Sequence, residues 1–251
     1  VLNMKKRLLI LPLLALTGSM LVGCDDDNNQ GGDDFDPSAK LAPASWFDSD
    51  GNEHKRVSNV EDGQTYYLCY HRKTDDEIRA FNGEPHKDGG KEYPYYLGTS
   101  VVANGEGESS GDDEQVEVLI EFTEDNKFTM KCVGEGTQYN GMYASIYKSV
   151  SSYGNNGYSF HFDETLGNTF EDEGETYTCY YEFEMMSEYN GYTLGVPVIK
   201  LQDERFDEEE PQPKFLGSGV DGDGVGYISI DCTTAEKAMI DTYNLAFFYE
   251  V

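Results

Sequence analysis

Several residue patterns in this sequence have the spacing of catalytic groups, but none has the surroundings that catalysis needs. Gly107-Glu108-Ser109-Ser110-Gly111 matches the nucleophile elbow of hydrolases, which requires an apolar strand before the serine and a helix after it. Polar and acidic residues flank it on both sides, so we interpret the segment as a loop. Among the 48 acidic residues, no pair is singled out by spacing for glycoside hydrolysis. A binding role is therefore favoured over an enzymatic one.

The four histidines also fail to form a site by sequence. They are His54, His71, His86 and His161, and no two of them have the spacing of a metal-binding pair. His71 and His161 fall in predicted strands, whereas His54 and His86 fall in polar segments that we interpret as loops. No catalytic histidine can be singled out.

Two aspartate-rich segments have the start of a calcium loop. Asp48-Ser49-Asp50-Gly51-Asn52 and Asp221-Gly222-Asp223-Gly224 place carboxylates at alternate positions beside a glycine. Neither segment continues to the closing glutamate, and Asp-Gly is also common in hairpin turns. Structural calcium at Asp48, Asp50, Asp221 and Asp223 is an alternative to plain turns, and no other cofactor is expected.

Tyrosine density is the feature that suggests binding. The chain has 19 tyrosines, and many stand in pairs or close together: Tyr66, Tyr67, Tyr93, Tyr95, Tyr96, Tyr180, Tyr181, Tyr189 and Tyr192. A tyrosine joins a rigid apolar ring to a hydroxyl, which suits sugars, peptides and protein partners. Tyrosine is also a favourable strand residue, so a structural role is the alternative.

The elements that must position these residues are short strands. In Gln115–Phe122 apolar and acidic residues alternate, and Phe128–Cys132 follows across a polar turn, which predicts a hairpin. Further strands are predicted at Thr65–His71, Tyr95–Val102, Met142–Lys148, Tyr158–Phe162, Glu175–Met185, Tyr192–Leu201, Gly226–Cys232 and Leu245–Glu250. The pattern predicts an all-β antiparallel sandwich or barrel of about ten strands over residues 46–251.

One short helix is predicted near the C-terminus. Thr233-Thr234-Ala235-Glu236 offers a capping box before Lys237–Tyr243. With Trp46 near its start and this helix near its end, the folded part is similar to lipocalin-like barrels. That resemblance implies an interior cavity for a small hydrophobic ligand.

Four cysteines in the folded part suggest disulfides. Cys69, Cys132, Cys179 and Cys232 are even in number and lack the Cys-x-x-Cys spacing of zinc or redox sites. A faint repeat, Gly-x-Thr-Tyr, precedes Cys69 and Cys179, and it favours pairing Cys69 with Cys132 and Cys179 with Cys232. Buried free thiols are the alternative.

The N-terminus has the order of a signal peptide. A basic start, Met4-Lys5-Lys6-Arg7, precedes the apolar run Leu8–Leu16, which is too short to span a membrane comfortably. Leu21-Val22-Gly23-Cys24 then resembles the lipobox of bacterial lipoproteins. The resemblance implies cleavage after residue 23, a diacylated Cys24 thiol and an acylated Cys24 amino group. Residues 24–45 would be the lipidated cysteine and an acidic tether.

The amino-acid composition limits the classes of partner that the protein can bind. The net charge is -30, which argues against nucleic acid because phosphate neutralisation needs clustered Lys and Arg. Removing residues 1–23 would take away three basic residues and no acidic ones, so the mature chain would be still more acidic. We expect a lipid-anchored protein on the outer membrane, the cell surface or the periplasmic face of the inner membrane. Its ligand would be a small hydrophobic molecule, a glycan or an envelope protein, with an adhesive module and a hydrolase as alternatives.

Overall fold

Antiparallel strands form all of the regular structure that is described, as the alternating sequence pattern predicts. The computed structural model describes residues 42–72, 75–111, 115–150, 156–167, 169–172, 175–189, 192–202, 210–220, 226–231 and 245–251. The strands are β1 (Ser45–Phe47), β2 (Glu53–Lys55), β3 (Thr65–Arg72), β4 (Glu77–Asp88), β5 (Lys91–Asn104), β6 (Glu117–Glu124), β7 (Lys127–Val133), β8 (Tyr143–Val150), β9 (Asn156–Asp163), β10 (Thr169–Asp172), β11 (Glu175–Tyr180), β12 (Phe183–Tyr189), β13 (Tyr192–Leu201), β14 (Gln212–Val220), β15 (Gly226–Asp231) and β16 (Ala246–Glu250).

The sheet topology is that of an antiparallel sandwich. Strands β1 and β2 form a small separate hairpin. The others pair in the order β10-β11-β8-β7-β12-β13-β14-β15-β5-β4-β3-β16, with β6 against β3 and β7 and β9 against β8. No closed barrel is found among the described strands, and of the two predicted architectures the sandwich fits them.

Several strands are buried on both faces and separate two hydrophobic cores. In β3, Leu68 and Tyr70 point into a first core and Cys69 into a second, because successive side chains of a strand face opposite sides. Strands β13 and β16 divide in the same way; in β16, Phe248 joins the first core and Phe247 the second. Trp46, which is fully buried, belongs to the second core.

Large aromatic rings fill the first core. The Phe128 ring lies 6.2 Å from that of Phe183 and 6.1 Å from that of Phe248, measured between ring centroids. Phe160 is 6.4 Å from Phe183. These side chains are all at most 1% exposed, and such spacings are those of aromatic pairs in direct contact.

The predicted hairpin is confirmed, and most of the other predicted strands are present. Strands β6 and β7 pair with Val118 opposite Cys132 and Ile120 opposite Met130. The predicted strand Glu175–Met185 is in fact two, β11 and β12, with Tyr181 and Glu182 between them. The predicted helix at Lys237–Tyr243 lies outside the described residues.

The predicted Cys69–Cys132 disulfide is wrong. Both side chains are buried free thiols, and they belong to different cores: Cys69 to the second and Cys132 to the first. Cys132 lies opposite Val118, which lies opposite Tyr66 on β3. Cys69 is three residues from Tyr66 and therefore faces the other side of the strand. Cys179 is also a buried free thiol, and Cys232 lies outside the described residues.

Candidate functional site

An open groove runs along the surface where the β6–β7 turn meets β12 and β13. Its main cleft has a volume of about 590 Å³. We call it the tyrosine groove and define it by six lining residues: Lys127, Tyr180, Tyr181, Glu182, Glu184 and Lys200. Antiparallel pairing brings these residues together, because Phe183 pairs with Phe128 and Glu184 with Val198 across neighbouring strands.

The groove carries alternating charges that are paired with one another. Lys200 Nζ lies 2.7 Å from Glu184 Oε2. Lys127 Nζ lies 3.3 Å from Glu124 Oε2 and 3.4 Å from Glu182 Oε2. Hydrogen bonding to Glu124 and the charge of Glu182 raise the pKa of Lys127, so it stays an ammonium group at neutral pH. Ammonium donors and carboxylate acceptors therefore lie side by side on this surface.

The ring of Tyr180 is held in place from below. Tyr180 is half-buried and packs against the first core, with its centroid 6.5 Å from that of Tyr158 in an edge-to-face arrangement. Tyr181, the next residue, is also half-buried and lines the same cleft. The two tyrosines therefore place aromatic rings beside the charged groups, and the Tyr180 ring is supported by the first core.

A second, smaller cleft adjoins this groove. It has a volume of about 360 Å³ and shares Glu184 with the tyrosine groove. Phe122 lines it and is 38% exposed. The Phe122 ring stacks on that of Phe128 at 6.2 Å and an interplanar angle of 25°. Each of the two clefts thus has an aromatic ring supported by the first core.

The other predicted tyrosines have varied surroundings. Tyr66 is buried, and its hydroxyl accepts a hydrogen bond from the Glu61 backbone amide at 3.0 Å. Tyr67 packs with its ring 6.0 Å from Trp46. Tyr96 is half-buried in β5. The backbones of Tyr93 and Tyr95 lie in β5, that of Tyr189 in β12 and that of Tyr192 in β13.

All four histidines are buried, which corrects the prediction that His54 and His86 lie in polar loops. His54 is in β2 and His86 in β4. His54 Nδ1 donates to the Glu250 carbonyl at 3.0 Å, and its ring lies 4.2 Å from that of Trp46. His71 Nε2 lies 3.0 Å from Asp76 Oδ1. These contacts are typical of packed structural histidines.

His161 lies in surroundings that change its pKa. It is 5% exposed in β9 and contacts Tyr147 edge-on, with ring centroids 4.7 Å apart. Burial lowers the pKa of His161 to about 4, and the nearby Asp163 carboxylate opposes part of that shift. The imidazole is therefore neutral at physiological pH.

The first predicted calcium segment forms the turn of the β1–β2 hairpin. Asp48 Oδ1 accepts a hydrogen bond from the Asn52 backbone amide and Asp48 Oδ2 one from Asn52 Nδ2, both at 2.7 Å. These bonds lower the pKa of Asp48. Asp50 is exposed, and in the part of the chain that the structure describes no three potential metal ligands cluster. Asp221 and Asp223 lie outside the described residues.

The hydrolase-like serine motif is a loop, as interpreted from the sequence. Ser109 Oγ accepts a hydrogen bond from the Gly111 amide at 3.0 Å, and Ser110 Oγ donates to the Val101 carbonyl at 2.6 Å. Neither a strand leading into Ser109 nor a helix following it is present through residue 111. The local structure is not that of a nucleophile elbow.

A scan of protein-family models and a search of curated proteins each found no match to this chain. Within the described ranges, no helix has both the length and the apolar character needed to cross a membrane. The features of the chain that bear on function are the groove, the two cores and the N-terminal sequence.

The sequence drew attention to Tyr180 and Tyr181 but not to the charged half of the groove. Lys127 follows a turn, Glu182 and Glu184 belong to a region of many acids, and Lys200 is the one charged residue in an otherwise apolar and polar strand. The outward position of Lys200 follows from strand alternation, since Ile199 and Leu201 point into the first core. Its proximity to Glu184 depends on the pairing of β12 with β13, which the residue types do not indicate.

Proposed function

We propose that this protein is a lipid-anchored binding protein of a bacterial cell envelope, and that it binds its partner on the outer surface of the sandwich. The anchor is proposed from the Met4–Arg7 start, the apolar run and the Leu21-Val22-Gly23-Cys24 lipobox, all of which lie outside the described residues. Several acyl chains on Cys24 would give stable anchoring, whereas one chain would be marginal.

Binding on the outer surface is proposed because aromatic rings fill the first core. A carrier of small apolar molecules needs inward-facing residues that leave an enclosed space. Here Phe128, Phe160, Phe183 and Phe248 are packed in contact at the centre. Of the three ligand classes expected from the sequence, this packing gives least support to a small hydrophobic molecule.

The outer surface also gives little support to docking through a broad apolar patch. In the described ranges, the large apolar side chains with substantial exposure are Phe47, Phe122, Leu166 and Val251. They come from β1, β6, the segment after β9 and the chain terminus. Scattered single apolar residues are ordinary on a protein surface, whereas partner sites present contiguous apolar area. A polar groove with aromatic rings is the better-supported binding surface.

Replacement of Cys24 tests the anchor. We would express the full chain and the Cys24→Ser variant with an alkyne fatty acid, then separate membranes from soluble protein. The unaltered chain should take up the label and sediment with membranes, and Cys24→Ser should do neither because the acylated thiol is lost. Cys179→Ser, which changes a cysteine of the folded part, is the matched control and should label normally. Labelling or membrane retention of Cys24→Ser would contradict the proposal.

A further inference from the structure

We infer that the tyrosine groove and the adjoining cleft form one binding site for a neutral oligosaccharide. This inference rests on the proposed function and names the ligand class of that surface. Both clefts are open to solvent and share Glu184. An extended open site suits a chain of linked units better than a compact molecule, which buries most of its surface in its pocket.

Aromatic rings lie in both parts of this site. Tyr180 and Tyr181 line the larger cleft, and Phe122 lines the smaller one. The apolar C–H face of a sugar ring packs well on an aromatic face, and a ring already held by its neighbours loses little entropy on binding. Tyr180 rests against Tyr158 and the first core, and Phe122 rests on Phe128.

The polar groups that line the same clefts match sugar hydroxyls. A hydroxyl both donates and accepts, so neighbouring hydroxyls can contact a carboxylate and an ammonium group at the same time. The Lys200–Glu184 and Lys127–Glu182 pairs place these two kinds of group 2.7 Å and 3.4 Å apart. Hydrogen bonds to charged groups are stronger than those between neutral groups, so this polar surface would add to affinity.

The charges of the site favour a neutral oligosaccharide. Each groove lysine already faces a glutamate, so the site does not need a charge on the ligand for balance. Glu124, Asp125, Glu182 and Glu184 outnumber the two lysines in the clefts and their rim. Together with a chain charge of -30, they would repel uronic acids and sulfated sugars.

Binding assays with named sugars test the inference. The detergent-solubilised full-length mature protein would be titrated by calorimetry with maltohexaose, cellohexaose, mannohexaose and galactohexaose. A hyaluronan hexasaccharide and a lysine-rich peptide would be run beside them. We expect saturable binding of at least one neutral sugar and none of the hyaluronan or the peptide.

Variants locate the site. Tyr181→Ala and Lys200→Met should each raise the Kd about tenfold, the size of effect expected for an aromatic or charged anchor. Tyr143→Ala and Lys131→Met are matched controls, because Lys131 Nζ lies 5.0 Å above the Tyr143 ring on another part of the sheet. These controls should leave the Kd within twofold. If Tyr181→Ala fails to fold, Lys200→Met still decides, since Lys200 is exposed.

Each contrary result has a distinct meaning. If Tyr181→Ala and Lys200→Met bind the neutral sugar with an unchanged Kd, the groove is not the binding site, but the protein would still be an outer-surface binding protein. Binding of hyaluronan or the peptide alone, or of none of the probes, would overturn the inferred ligand class. Recovery of a stoichiometric apolar molecule from the folded protein would instead overturn the proposed function itself.

Discussion

The buried, neutral state of His161 makes the fold sensitive to acid, and this sensitivity can be measured. His161 lies in β9 with 5% exposure, beside the edge of Tyr147. Burial lowers its pKa from 6.5 to about 4 in the folded protein. The unfolded chain therefore takes up a proton at higher pH than the folded chain does, so acid favours unfolding.

The size and pH window of this effect follow from the two pKa values. A depressed folded pKa contributes stability that is fully present above pH 6.5 and is lost as the pH falls toward 4. A difference of about 2.5 pKa units corresponds to about 3 kcal/mol of unfolding free energy. The Asp163 carboxylate, whose Oδ2 lies 4.0 Å from Nε2, reduces the shift because it stabilises the imidazolium.

The assay compares the unaltered protein with His161→Phe, which keeps a ring of similar size but cannot titrate. Urea unfolding at pH 7.5, 6, 5 and 4 gives the free energy of unfolding for both proteins. All other titrating groups are shared, so the difference between the two curves isolates His161. From pH 7.5 to 4, the unaltered protein should lose about 3 kcal/mol more than His161→Phe.

Two results would refute this reasoning. Parallel pH curves for the two proteins would mean that the folded pKa of His161 is near its ordinary value. The Asp163→Asn variant provides a test of sign: removing the carboxylate should lower the pKa of His161 further and steepen the loss of stability in acid. A shallower loss would contradict the assigned cause.

Three further perturbations test the core, a bulge in β4 and the thiols. Phe128→Ala should lower the free energy of unfolding, measured by urea titration, by about 4 kcal/mol because it removes a ring from the first core. Phe122→Ala, on the same hairpin but 38% exposed, should lower it by about 1 kcal/mol. Equal losses for the two variants would contradict the filled core. Gly83→Ala would place a Cβ atom 2.6 Å from Thr137 Oγ1, whereas the Cβ atom of Gly136→Ala would have no atom within 4 Å. Both glycines have positive φ, so Gly83→Ala should lower the Tm more than Gly136→Ala because of this close contact. A smaller decrease for Gly83→Ala would refute the close approach. Burial raises the pKa of Cys69 and raises that of Cys132 to about 12. Iodoacetamide at pH 8 should therefore leave both thiols unlabelled in the folded protein and label both once the protein is unfolded, with no reductant added. A disulfide-linked peptide in a peptide map of the unfolded protein would contradict the free thiols.

Strands with a nearly continuous run of apolar and β-branched or aromatic residues could be predicted from the sequence almost residue by residue. The predicted Tyr192–Leu201 has the same bounds as β13, and Thr65–His71 differs from β3 by one residue. Both strands carry apolar residues on two faces because each separates the two cores. The burial requirement therefore left a continuous signal in the residue types.

Two strands that contain glycine and proline, β4 and β14, were missed for an identifiable reason. In β4, Asn82, Gly83 and Pro85 look like a turn, but the strand continues through register shifts between Phe81 and Pro85 and between Pro85 and His86. In β14, Pro213 and Gly217 give the same misleading signal. Bulges absorb residues that local propensity would assign to loops.

The candidate site could be predicted only in its aromatic half. Tyr180 and Tyr181 stood out as neighbours in the sequence, whereas Lys127 and Glu182 are 55 residues apart and meet only through the pairing of β7 with β12. The disulfide prediction failed for a related reason. Spacing along the chain carried no information about which core each of Cys69 and Cys132 would face.

One measurement tests the central claim most directly: mass spectrometry of the protein isolated from its own membranes, together with an organic extract of the same sample. If the protein is lipid-anchored, its polypeptide should begin at Cys24 and carry a diacylglyceryl group and an amide-linked acyl chain. If its interior is filled, the extract should contain no apolar molecule in stoichiometric amount. An unmodified Cys24, or one equivalent of a released apolar ligand, would contradict it.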